Sequence, residues 1–168
     1  MVKGTIYMCS TCRRIEDNDD AFYYSCNCID SIHIKVYWPL LRVVTMLLDC
    51  GYAVSSATST WNMQSNNGLV SGFLRVVITF EEDYTEDLEL LPEGCYRLED
   101  VSKSFELIPE EEGVIGRKVY QDIIQCDSSC SEPEKIKDVE EDVIKSFLDW
   151  ADEDLHAVYA MKVLAGDV

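Results

Sequence analysis

The residues best placed to do chemistry are sulfurs. Cys9-x2-Cys12 is followed, thirteen residues later, by Cys26-x-Cys28, so four of the eight cysteines fall within twenty positions. Paired thiols at short spacing, joined by a polar insert of hairpin length, are how a zinc ribbon gathers four sulfurs around one ion. The insert RRIEDNDDAFYYS reads as a turn from Glu16 to Asp20 between strand-like positions that bring the chain back. Thiolate ligation supplies the energy that so small a knuckle cannot draw from apolar burial. The expectation is one structural Zn2+ held by Cys9, Cys12, Cys26 and Cys28, with His33 five residues further on and able to replace one of them. Four protein ligands close such a site, so its role is structural and not catalytic. The second pair, CxC, departs from the commoner CxxC.

Two other fates are open to these thiols, a disulfide and an unligated state. The N-terminus, MVKGTIYMCSTCRR, lacks the apolar core of a signal peptide, and disulfides are rare in a reducing cytosol. Four unligated thiols in polar surroundings would be prone to oxidation. Cys126-x3-Cys130 is a weaker pair whose spacing suits a helix turn or a loop. With Cys50 and Cys95 it makes either a second site or a set of buried core thiols.

Other chemistry is poorly supplied. His33 and His156 are the two histidines, in separate segments, which leaves little for a His-centred general base. GxSxG, HExxH, P-loop, dinucleotide and deaminase patterns are all missing. The chain is read as a binding protein, not an enzyme.

Charge gives the second signal. The 168 residues carry 32 acids against 14 bases, a net −18, and the distribution is lopsided. Residues 1–80 hold six acids and six bases, whereas residues 81–168 hold 26 acids and eight bases. Such a body repels phosphate backbones and anionic membranes, which excludes direct nucleic-acid binding and membrane association. It is suited either to staying in solution or to meeting a basic groove as a nucleic-acid mimic does. The acids fall in clusters: Glu81, Glu82, Asp83, Glu86 and Asp87, then Glu110, Glu111 and Glu112. A third set, Asp138, Glu141, Asp142, Asp149, Asp152 and Glu153, lies on a helical pattern that also carries Glu140 and Asp154. These fourteen clustered residues, from Glu81 to Glu153 and without Glu140 or Asp154, are the expected partner-binding surface. Carboxylates on successive helical turns repeat at about 5.4 Å, loosely like phosphates along a strand.

The elements that must position these groups are legible in part. Pro39 at a helix start, LLRVVTMLLDC and a closing Gly51 outline a helix whose core face is Leu40, Val43, Val44, Leu47 and Leu48. Tyr52 to Thr58 reads as a strand, Asn66-Asn67-Gly68 as a turn, and Leu74 to Phe80 as a half-buried strand. Trp61 and Met63, in the connection, are expected in the core. Tyr96 to Leu98, Phe105 to Ile108 and Val114 to Tyr120 are short strand-like pieces. Ser131-x-x-Glu134 has the form of a capping box before a stripe of Ile136, Val139, Val143, Phe147 and Trp150. The fold class expected is α+β. A zinc-ribbon-like knuckle (1–36) precedes an acidic α+β domain (37–168) with a small mixed sheet, one core helix and helical residues 131–164.

The N-terminal knuckle, the helix ending in LLDCGYAVSSATSTW and the strand ending in an aromatic resemble small phage and prophage proteins of low-GC Gram-positive bacteria over roughly the first 80 to 95 residues. Gly51 and Tyr52 match that pattern, while Ser56 to Trp61 replace its Cys/His element. In size, charge and cysteine knuckle the chain is similar to metal-binding type II anti-CRISPR proteins. The resemblance implies a phage-encoded inhibitor acting in the bacterial cytoplasm, which binds a type II CRISPR effector nuclease and blocks loading of its target DNA. The alternative is a zinc-ribbon adaptor for host transcription or another defence system.

Overall fold

Leu74, Val76, Ile78 and Phe80 are fully buried and alternate with more exposed neighbours, which sets Leu69–Phe80 (β5) at the centre of the architecture. The computed structural model describes residues 4–16, 26–29, 31–98, 102–110 and 113–167, with 102–110 and 113–120 described through their backbone. Before β5 come Thr5–Cys9 (β1), Ile15–Glu16 (β2), His33–Tyr37 (β3) and Val54–Asn66 (β4). After it come Tyr96–Arg97 (β6), Ser102–Glu110 (β7), Gly113–Tyr120 (β8) and Ile123–Cys130 (β9). One sheet has the order β2-β1-β3-β4-β5-β9-β6, and β7 and β8 pair separately. The protein is α+β.

Every neighbour in the large sheet is antiparallel except β3 and β4, which run parallel at Lys35↔Ser56 and Val36↔Ala57. Parallel neighbours need a crossover. A 3-10 turn at Trp38–Leu40 and the helix Leu41–Asp49 (α1) provide it, and the chain then leaves through Gly51 at φ +88°. Leu40, Val43, Val44 and Leu47 are buried as their spacing requires. β4 and β5 form a long hairpin closed by Asn67 and Gly68, both at positive φ, as a two-residue type I′ turn demands.

The C-terminal helix Ile136–Trp150 (α2) lays Ile136, Val143, Ile144, Phe147 and Trp150 on the sheet. Complete burial of Phe147 contributes about 2–3 kcal/mol. A π turn at Ala151–Leu155 then leads into His156–Ala165 (α3). No described helix is long and apolar enough to cross a membrane.

Several expectations are corrected. Trp61 and Met63 lie within β4 and not in a connection, and they are half exposed: Leu74, opposite Trp61, is fully buried and Ile136 of α2 lies against Gly72, opposite Met63, so the cover at this level lies over β5 and not over β4. Cys126 and Cys130 sit on a strand, not on a helix turn or loop. Ser131 and Glu134 make no capping box: a 3-10 turn at Pro133–Lys135 enters α2, and no side chain caps either segment. Glu16 belongs to β2 and not to a turn, and positions 17–20 of that expected turn lie outside the described residues. Strands on both sides of the 36/37 boundary share the one sheet.

Glu140 also leaves the solvent face. It accepts hydrogen bonds from Tyr37 Oη at 3.0 Å and from Ser59 Oγ, tying α2 to β3 and β4. Burial, and then the nearby Glu140 carboxylate, push the Tyr37 phenol up to about 12. A raised value means that this contribution is whole below pH 10 and is lost as pH rises through about 12. Tyr37→Phe is expected to lower stability by about 1.5 kcal/mol at pH 7, read by urea denaturation. A difference under a few tenths would show the contact to be idle.

Candidate metal centre

β1 delivers Cys9 at its last position, and the chain turns back at once to pair β2 with β1 through Met8↔Ile15 and Tyr7↔Glu16. The reversal is tight. Cys9 N–H donates to the Arg14 carbonyl at 2.9 Å, Arg13 N–H donates to the Cys9 carbonyl at 3.1 Å, and Arg13 adopts φ +62°. Arg13 is a non-glycine residue in the left-handed region, held by its guanidinium on the Ser10 carbonyl at 2.6 Å and near Asp49 at 3.5 Å. The loop also rests on the residue that leads into β3: Ser10 N–H donates to the Ile32 carbonyl, and Ile32 N–H donates to Ser10 Oγ. This framework is independent of any ion and places Cys9 and Cys12 on one side of the turn.

Cys26 and Cys28 complete the group. The four sulfurs lie within 4.8 Å of one another, with Cys12–Cys26 and Cys9–Cys26 each at 3.5 Å. All four are free thiols. For a metal–sulfur bond of about 2.3 Å, a tetrahedral ion sets its sulfurs about 3.8 Å apart. Contact-distance sulfurs at this spacing match that geometry and can hold a metal ion. Thr11 and Cys12 each point a backbone N–H at Cys9 Sγ, at 3.4 Å, an arrangement that favours thiolate.

The thiols respond unequally. Burial raises Cys9, but the backbone N–H groups of Cys12 and Thr11, with Ser31 and Cys26, outweigh it and bring the group down to about 6. Cys28 is pushed up to about 12 by the adjoining sulfurs of Cys26 and Cys12. One thiolate therefore forms readily and the next is opposed by it. A divalent cation removes that conflict, because it stabilises all four negative sulfurs together. His33 sits opposite Cys9 in the β1–β3 register but is not part of the cluster, so the four-sulfur set stands without it.

Among the described residues no second group of this kind occurs. Cys126 and Cys130 share a strand four residues apart, about 13 Å, beyond the reach of one ion. Cys50 is buried and bonds the Leu155 carbonyl, and Cys126 is buried beside Cys95, whose thiol is raised first by burial and then by Cys126. These are core thiols.

The expected acidic surface divides. Glu86 and Asp87 line a cleft of about 210 Å3 together with Leu88, Glu89, Leu90, Asp154, Leu155 and Val158. At this cleft Trp150 donates from Nε1 to the Leu90 carbonyl at 2.9 Å, which ties the 81–98 loop to the helix. Glu89 and Asp154 thus join the set, Glu89 from the acid run of the loop and Asp154 from the acid run of the C-terminal helical pattern. Glu81 lines a different hollow, with Ser10, Arg13 and Gly51. Asp83 is turned onto Thr85, whose hydroxyl and N–H hold the carboxyl below its ordinary range. Asp138, Glu141 and Asp142 are exposed on α2. Asp149 pairs with Lys145, Asp152 pairs with Arg42 at 2.6 Å, and Glu153 is exposed. Glu110 is the last residue of β7, and Glu111 and Glu112 lie outside the described residues.

Fold and site together define an α+β protein whose N-terminal knuckle carries a four-cysteine cluster able to hold a metal ion. No family model, curated protein or solved structure matches the chain.

Proposed function

We propose that the protein is a zinc-stabilised binding protein that presents an anionic face to a cationic groove of another protein. The single observation that carries this reading is the convergence of loop and helix acids on one cleft, Glu86, Asp87 and Glu89 facing Asp154. Among the described residues none of these four is ion-paired with a lysine or arginine, so their field reaches outward. Zinc is the ion proposed for the cysteines, since four thiolates in a closed tetrahedral set suit it best. The metal fixes the knuckle and takes no part in turnover.

The sequence resemblance narrows the partner to a type II CRISPR effector nuclease, whose guide and target occupy a positively charged channel. Occupying that channel needs no chemistry: it displaces DNA by competition for the same basic side chains. The test is binding to a purified guide-loaded effector, with target-DNA loading followed by mobility shift. Loading is expected to fall as the protein is added, and the affinity to drop about tenfold between 50 and 300 mM salt as the carboxylates are screened. Glu86→Gln, Asp87→Asn and Glu89→Gln combined are expected to weaken binding a further tenfold or more. Undisturbed DNA loading rejects the effector as partner, and salt-independent binding rejects the electrostatic face.

A further inference from the structure

The β4–β5 hairpin breaks the rules that the rest of the molecule follows. Residues 50–74 contain no Asp, Glu, Lys, Arg or His, in a chain of net −18. The distal part of that segment is also an open strand edge. β3 meets β4 at Lys35↔Ser56 and Val36↔Ala57 and pairs no further, while β5 covers the other side of β4 as far as Asn66↔Leu69. From Thr58 to Asn66, about 25–30 Å, β4 has no described strand along its outer side.

Open edges are normally blunted by lysine, proline or a bulge. Thr58–Asn66 has no charge and no proline, and the one irregularity in its pairing lies at Val54/Ser56, before the open stretch. Asn66 and Leu69 close the type I′ turn, so the even-numbered residues of β4 bond to β5. Ser59, Trp61, Met63 and Ser65 then point their N–H and C=O groups outward. Trp61 and Met63 stand opposite Leu74 and Gly72, on the face that becomes the core further along, and are 52% and 50% exposed. Backbone donors and acceptors, two large apolar side chains and local neutrality coincide on one edge.

We propose that this edge pairs with the same edge of a second copy of the chain, forming a two-fold dimer with a continuous sheet. The proposal goes beyond the binding function above and does not depend on it. A body of net −18 is repelled by its own kind nearly everywhere, and the uncharged hairpin is where two copies meet at least electrostatic cost. Antiparallel pairing about an axis at Asn62 sets Trp61 opposite Met63 of the partner subunit and Met63 opposite Trp61 of the partner subunit. Each contact joins an indole to a thioether. The outward residues exchange about eight backbone hydrogen bonds. The interface is isologous and therefore closes at two copies.

Sedimentation equilibrium of the zinc-loaded protein alone, at about 10–200 µM, tests this. A mass twice 19.2 kDa is expected at the upper concentrations. The dimer fraction should rise with salt between 0.1 and 0.5 M, because screening relieves repulsion between the two anionic bodies. That trend is opposite to the one expected for the groove contact, so the two readings fail separately. Met63→Lys places a charge on the edge, Met63→Pro removes an outward N–H, and each should weaken dimerisation at least tenfold. Zinc content and near-UV circular dichroism confirm that the variants fold. A monomer at both salts overturns the proposal and leaves the edge to a strand of some other protein. A dimer that ignores both substitutions, or an assembly that grows beyond two copies, also overturns it.

Discussion

Cys12→Ser is expected to cost the protein its one equivalent of metal and several kcal/mol of stability. Cys12 is the most exposed of the four clustered cysteines, so replacing it disturbs packing least and isolates the contribution of its sulfur. Its sulfur is 3.5 Å from Cys26, and an ion held by the four sulfurs would join 26–29 to the turn after β1. The loss should also be local. β1 remains paired with β3 from Thr5↔Tyr37 to Cys9↔His33, and Ile6, Met8, Ile34 and Val36 remain in the core. Hydrogen exchange should therefore accelerate across 9–16 and 26–29, while β5 and α2 keep their protection. Chelation of the wild type should reproduce the same map, and zinc should restore it. Lowering pH should weaken metal binding, since protons compete for every thiolate. A wild type purified without metal and equally stable with or without added zinc would remove the metal from the account.

The sulfur cluster was legible because ligand spacing is a local property: two short pairs and a hairpin-length insert leave few other geometries. The helix faces were legible for a similar reason, since Val43, Val44 and Leu47, and Val143, Phe147 and Trp150, repeat at the period that their burial requires. Pairing between distant segments left no such mark. Nothing in Ile123–Cys130 announces that it lies beside β5, and its two cysteines drew attention to a spacing that the strand makes irrelevant. Trp61 and Met63 are exposed although large apolar residues are usually covered, and which strands α2 covers is a tertiary fact. The capping box failed in the same way. Its residue types are present, but a Pro133 turn carries the chain into the helix by another route. The acidic face was legible as charge and not as shape: only packing of the loop against Trp150 and Leu155 decides which carboxylates converge.

That packing depends on one buried ion pair, and Arg97→Met is expected to destabilise the protein by about 3–5 kcal/mol. Asp122 is 2% exposed, and its Oδ1 accepts from Arg97 Nε at 2.7 Å. The same guanidinium donates from Nη2 to the Leu88 carbonyl at 2.7 Å, and Asp122 N–H donates to the Glu82 carbonyl at 3.1 Å. Arg97 and Asp122 thus clamp both ends of the acidic loop to the start of β9. Asp122 Oδ2 is buried with no hydrogen-bond partner among the described residues, so without Arg97 the carboxylate would lack its only strong stabilisation. Methionine keeps much of the arginine volume and none of its charge. Removing both members, as Arg97→Met with Asp122→Leu, should recover most of the loss, because the cost lies in stranding one charge and not in lacking the pair. Urea denaturation of the two single variants and the double variant measures the coupling. The same substitution should free the 81–98 loop to exchange its amides, and should weaken binding to a basic partner although Glu86, Asp87 and Glu89 are all present. If Arg97→Met costs less than about 1 kcal/mol, the loop is held by Trp150 alone and this clamp is not what shapes the acidic face.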